Sequence, residues 1–189
     1  MRMTALLFAL LALLLTPGPT NTLLAVAGTE RGWRGALWLI PYELAAYLAV
    51  TLPLVLGGAV ILPLLPVLKP LITAAAALWV LVLAVRLWRL PKPGAAVQTS
   101  GQQVFMTTLL NPKALIIGLV LLPGAPLLPR VLLFALLVIG VAALWAAIGA
   151  CLSGGPDCPA NRAAPLIRRS AAVWLGALSV GLLISALPA

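Results

Sequence analysis

The sequence predicts an all-α integral membrane protein of about six transmembrane helices, arranged as two inverted three-helix repeats. Three observations predict it. The chain of 189 residues is 63% hydrophobic and only 8% charged, whereas soluble domains carry roughly a quarter charged residues. So few charges cannot coat a soluble surface of this size, and a lipid-facing surface needs no such coat. The apolar runs are long and unbroken: a helix needs about 20 such residues to cross a hydrocarbon core about 30 Å thick. They also lack the alternation of a membrane barrel. Finally, the first run of each half carries a break, Pro17-Gly18-Pro19 in one and Asn111-Pro112 in the other.

Taken in order, the expected spans are 5–28 (interrupted at 17–19), 35–57, 71–90, 104–122, 131–150 and 170–187. The Pro-rich stretch 62–70 makes a poor helix interior and reads as a turn. Pro123, Pro126 and Pro129 mark another turn, and 151–169 reads as a loop with three prolines. The whole chain, 1–189, is one membrane domain, with halves 1–90 and 103–189 joined by a polar linker, 91–102. Each half has an odd number of crossings, so consecutive halves insert with opposite topology. That is a common transporter architecture, with sites near the midplane where helices are broken. The N-terminal run resembles the start of a signal peptide. No small-x-small cleavage site follows it, and it reads as the first part of a retained, broken span.

Orientation follows from the basic residues near span ends. Arg31, Arg34, Arg86, Arg89, Lys92, Arg162, Arg168 and Arg169 fall on one side, and Arg2, Lys69 and Arg130 on the other. The richer side is expected in the cytoplasm, which places both termini outside and the linker inside. The net charge of +9 is thereby explained without nucleic acid, since no basic stripe interleaves with aromatics on a polar domain. There is no histidine, which excludes His-based catalysis and leaves no reason to expect a metal or other cofactor. Cys151 and Cys158 fall in one loop, expected in the cytoplasm with both thiols reduced. Trp33, Trp38, Trp88 and Trp174 lie near span ends, where interfacial aromatics belong. Trp79 and Trp145 lie deeper, as packing residues.

The candidate functional residues gather at the breaks. On the expected limits, Asn111 lies roughly 10 Å and Glu43 roughly 12 Å from the cytoplasmic side. Pro17 lies about 18 Å from the outer side, hence about 12 Å from the cytoplasmic one. Breaks and acid are therefore expected in one layer. Between Thr16 and Thr22, Pro17, Gly18 and Pro19 prevent a regular helix. Freed backbone groups at that depth need partners in protein or in a water-filled cavity. Thr16, Thr20, Asn21 and Thr22 can supply them. Open half-helix ends suit the carboxylate and ammonium of a small zwitterionic solute; the alternative is a structural kink capped by its own side chains. Pro112 frees a carbonyl in the same way. Asn111 can bond across helices, and Lys113 can pair with a substrate carboxylate or with Glu43, or else snorkel to the interface. Glu43 is the only acid inside an expected span. Such residues usually face a bundle interior or an aqueous path, so Glu43 is a candidate for proton coupling, with Tyr47 one turn on along the same face. A static pair with Lys113 or Arg34 is the alternative. Pro41 is expected to kink the helix beside Glu43.

At Thr16-Pro-Gly-Pro-Thr-Asn-Thr-Leu-Leu24, and again at Asn111-Pro-Lys-Ala114, the sequence resembles the LysE/RhtB family of amino-acid exporters. The resemblance covers essentially the whole chain, through span number, motif placement and central linker. It implies secondary export of amino acids or related metabolites across the bacterial inner membrane, driven by the proton-motive force or another ion gradient. Carried over by position, Pro17, Gly18, Pro19 and Asn21 match the first motif, and Asn111, Pro112 and Lys113 the second. Thr20 stands where members often have Asn directly after Pro-Gly-Pro. Ala74 to Ala77 stand where members often show Gly and Tyr. The Cys151–Cys158 loop has no place in the family pattern.

Three competing readings have distinct signatures. An intramembrane enzyme wants paired acids, His or a metal site, which this chain lacks. A thiol–disulfide carrier would place cysteines at the helix breaks. A non-transporting scaffold or accessory subunit would be insensitive to Glu43→Gln and Asn111→Ala. Glycines such as Gly57, Gly58, Gly140 and Gly149 suit helix packing within one chain or in a homo-oligomer.

Overall fold

A computed structural model describes residues 2–61, 65–89, 99–152 and 163–186, and these residues are helical apart from short connections. The helices are α1 (Met3–Leu15), α2 (Pro19–Leu37), α3 (Ile40–Ile61), α4 (Leu65–Trp88), α5 (Gly101–Leu109), α6 (Pro112–Ile116) with a π-helical turn (Ile117–Leu121), α7 (Leu127–Leu152) and α8 (Ala163–Ala186). By length and composition, Ile40–Gly58 and Leu127–Leu152 can each cross a membrane. Two bent pairs raise the number to four if each is one span: α1 with α2 at 62°, and α5 with the segment Pro112–Leu121 at 51°. A shorter apolar stretch, Thr73–Trp88, runs through α4. Expectations for the linker residues 91–98, for Lys92, Asp157, Cys158 and Arg162, and for the side chains of Lys69 and Arg168 lie outside the described residues.

The bends fall at the two breaks read from the sequence. Pro19 begins α2 and Pro112 begins α6, at helix starts where a missing N–H costs nothing. Elsewhere the limits differ from expectation, and proline explains most of the differences. Pro41 is the second residue of α3, so it starts that helix and does not kink it. Residues 35–37 belong to α2, placing Glu43 in the first turn of α3, about 5 Å from its start instead of about 12 Å. Of the Pro-rich stretch 62–70, residues 65–70 are helical and 62–64 lie outside the described residues: α4 begins at Leu65 with Pro66 in its first turn. Pro129 likewise lies in the first turn of α7. The expected loop 151–169 is shortened at both ends, since α7 runs to Leu152 and α8 starts at Ala163.

Two further limits have local causes. Ser100 caps α5: its hydroxyl accepts from Gln103 N at 3.2 Å, and Gln103 Oε1 accepts from Ser100 N at 2.9 Å. This reciprocal pair is a capping box, and it starts the helix at Gly101, inside the expected linker. The loop expected near Arg31 and Arg34 is a single interruption of α2 at Gly32, with φ 70° and ψ 172°, a conformation essentially confined to glycine.

Packing pairs helices from the two halves of the chain. α2 lies along α7, α4 along α8, and α3 against α5, α6 and the π-helical turn. α2 and α7 cross at glycines. A Cβ on Gly28 would clash with Ala146 O, and one on Gly149 with Ala25 O, so neither position accepts a side chain without separating the helices. The apolar interior forms two clusters. One gathers Leu23, Leu24, Val80, Leu83, Val104 and Ala146. The other gathers Leu6, Leu10, Leu14, Ala114, Ile117 and Phe134. Along each bent pair the break residues fall between the two clusters.

Candidate functional site at the two helix breaks

The site begins with the backbone groups that the breaks release. α1 ends at Leu15, and its last carbonyls need donors. Thr16 Oγ1 donates to Ala12 O at 2.7 Å. Asn21, in the first turn of α2, folds back and donates Nδ2 to Leu14 O at 2.8 Å and to Thr16 O at 3.1 Å. Thr22 Oγ1 donates to Gly18 O at 2.8 Å. Gly18, the residue before α2, offers that helix no side-chain cap. At the second break Asn111 caps α6, its Oδ1 accepting from Lys113 N at 3.1 Å.

The breaks meet although they are about ninety residues apart in the chain. Lys113 Nζ donates to Thr16 O, placing an ammonium at the carbonyl end of α1, the favourable end of the helix dipole for a cation. Gly18 makes room for it, since a Cβ there would lie 3.3 Å from Nζ. The Thr20 and Thr108 hydroxyls are 3.1 Å apart, and Asn111 Nδ2 reaches Thr20 Oγ1 at 3.5 Å. Thr20, Asn21, Thr108 and Asn111 are all buried.

Beside this junction lies a cavity of about 140 Å³. Pro17, Gly18 and Pro19 line it from the first break, and Leu110, Asn111, Pro112 and Lys113 from the second. Ala76, Trp79 and Val80 of α4, Thr107 of α5 and Leu178 of α8 complete the wall. Trp79 Nε1 donates to Thr107 Oγ1 at 2.8 Å, and Thr107 Oγ1 donates in turn to Gln103 O. Trp79 packs against the apolar interior as expected and also lines the cavity, together with Thr107 and Leu178, which the sequence does not single out. Nothing local in the sequence marks them, because only the α4–α8 pairing brings them to the breaks.

Of the residues singled out from the sequence, Pro17, Gly18, Pro19, Asn111, Pro112 and Lys113 line the cavity. Thr16, Thr20 and Asn21 instead hold the breaks in shape. Glu43 and Tyr47 are buried but do not line it. No hydrogen bond or ion pair among the described residues joins Glu43 to Lys113 or Arg34, so a static pair is not formed. Glu43 Oε2 is buried without a hydrogen-bond partner among the described residues. Such a group is costly. Tyr47 packs edge-on against Phe134, with ring centroids 5.6 Å apart.

Other expectations resolve as follows. Trp33, Trp38, Trp88 and Trp174 are exposed, while Trp79 and Trp145 are partly buried. Cys151 is exposed and free in the last turn of α7, away from both breaks. Arg130, read only as a basic span end, is buried and donates to Pro123 O at 2.6 Å, tying down the turn before α7. Glu30 Oε2 accepts from Thr99 N at 2.8 Å and from Thr99 Oγ1 at 3.0 Å, and Arg31 donates to Thr99 O. These bonds dock the start of α5 onto α2. No family model, curated protein or solved structure matches the chain.

Proposed function

We propose that the chain is a secondary active exporter of amino acids or related small metabolites across the bacterial inner membrane, coupled to protons. The observation that carries this reading is the meeting of two helix breaks, one from each half of the chain, around a single cavity holding a lysine. Non-helical backbone at membrane depth is tolerated where it is packed in protein or lines a cavity. Broken helices around a central site are the recurring way that secondary transporters bind solutes. The LysE/RhtB resemblance at Pro17-Gly18-Pro19 and Asn111-Pro112-Lys113 points the same way.

In this reading the chain crosses six times, with both termini outside. The bent pairs α1–α2 and α5–α6 are one crossing each, and α3, α4, α7 and α8 supply the rest. The pairing of helices supports two inverted repeats. Exchanging the halves maps the first crossing onto the fourth, the second onto the fifth and the third onto the sixth. The α2–α7 contact then maps onto the contact of α3 with the α6 end of the fourth crossing, and α4–α8 maps onto itself. Each mapped crossing has its own glycine: Gly28 faces the α7 backbone, and a Cβ on Gly118 would lie 3.1 Å from Thr51 Cα of α3. Glu43, buried with an unpartnered oxygen, is the proton-coupling group, and Tyr47 flanks it.

Transport in inside-out vesicles tests this. A panel of labelled amino acids is offered under an imposed proton gradient, with wild type beside Glu43→Gln. Accumulation by wild type that the variant loses is the expected result. Accumulation kept by the variant returns Glu43 to a structural role. No accumulation by folded, inserted protein would overturn the exporter reading in favour of a scaffold.

A further inference from the structure

The cavity wall also says which solutes fit. Among the described residues its only charged side chain is the Lys113 ammonium, and no carboxylate lines it. The other described lining residues are apolar apart from Asn111 and Thr107, with Trp79 contributed by α4 and Leu178 by α8. At about 140 Å³ it is well below the roughly 300–1,000 Å³ of pockets for drug-sized ligands. Resting on the exporter reading, we propose that the site takes small monocarboxylate solutes with an apolar body, such as short aliphatic amino acids, and rejects solutes carrying a second cation. Lys113 and Trp79 are the residues that decide this.

The chemistry is one of pairing. Lys113 sits on a backbone carbonyl, Thr16 O, a neutral acceptor that a substrate carboxylate outcompetes through a charge-assisted bond. Gly18 leaves the ammonium room to turn toward the cavity. Thr107 Oγ1 accepts from Trp79 and donates to Gln103 O, so one lone pair remains for a single α-ammonium. A second ammonium, as on a basic amino acid, would find no carboxylate among the described lining residues and would share the cavity with Lys113, and burying an unpaired charge is expensive. The hydrogen bond to Thr107 holds the Trp79 ring in place as an apolar wall, so side-chain size is read against a fixed surface.

Isothermal titration of the purified full chain in lipid nanodiscs with L-alanine, L-valine and L-lysine tests the inference. L-alanine and L-valine are expected to bind, and L-lysine at least about tenfold more weakly. Lys113→Met should abolish binding of both aliphatic amino acids, while Lys113→Arg retains part of it. Trp79→Ala should weaken valine more than alanine, by about tenfold, the scale on which an apolar pocket distinguishes methylene groups. Circular dichroism and thermal unfolding confirm that each variant is folded; the Asn21 bonds to Leu14 O and Thr16 O remain in Lys113→Met. Lysine binding as tight as valine binding, valine binding unaffected by Lys113→Met, or no binding of any probe by folded protein would each overturn the proposal. The same probes in inside-out vesicles separate it from the exporter reading. Valine bound but never accumulated defeats export and leaves the ligand class standing. Gradient-driven accumulation of lysine without valine keeps export and defeats the ligand class.

Discussion

Asn111 joins two tasks in one side chain. Its oxygen caps α6 and its amide reaches Thr20 on the other broken helix. Removing a cap of this kind costs about 1 kcal/mol, so Asn111→Ala is expected to lower the thermal midpoint of the detergent-solubilised protein modestly. It should lower transport far more, because the two breaks lose a link beside the cavity; a fall in midpoint with unchanged transport would make Asn111 a cap and nothing else. Gly32 gives a backbone prediction. Gly32→Ala forces a Cβ into a conformation that costs on the order of 1–3 kcal/mol, read as the same midpoint shift. The Asn-Pro-Lys and Pro-Gly-Pro motifs were legible in the sequence because proline and glycine act on their own backbone. Arg130 was not: its burial depends on the Pro123 carbonyl, which the turn folds back to meet it.

Among elements, the α2–α7 crossing is the most demanding. Both helices approach until glycine alone fits, at Gly28 and Gly149. Overpacking a well-filled contact typically costs about 1–3 kcal/mol, occasionally more. Here the obstacle is backbone, which cannot swing aside, so Gly149→Leu is expected to abolish recovery of folded protein. Gly140→Leu, where nothing among the described residues lies within 4 Å, should leave recovery unchanged. Size-exclusion chromatography of the two variants decides it. Outside the two breaks the expected spans fell largely on helices, since long apolar runs meet their backbone hydrogen-bonding needs by coiling. Their ends were less legible. Proline is a breaker inside a helix but a good first-turn residue, and Pro41, Pro66 and Pro129 took the second role.

For the whole molecule, the proposed orientation makes a prediction that needs no substrate. Cys151 is exposed at the end of α7, on the side assigned to the cytoplasm. In a Cys158→Ser background, an impermeant maleimide should label it in inside-out vesicles and spare it in right-side-out cells; the opposite pattern would invert the topology. The sequence by itself determined the helical content, the apolar runs long enough to cross a membrane and the positions of both breaks, because composition, run length and proline chemistry are local. Only the tertiary structure decided that the breaks touch, that Trp79, Thr107 and Leu178 close a cavity beside them, and that Glu43 is buried apart from that cavity. Those facts depend on which helices pair across the chain. Close-packed pairing follows the fit of small residues such as Gly28 and Gly149 against a particular partner, and single-helix periodicity does not specify the partner.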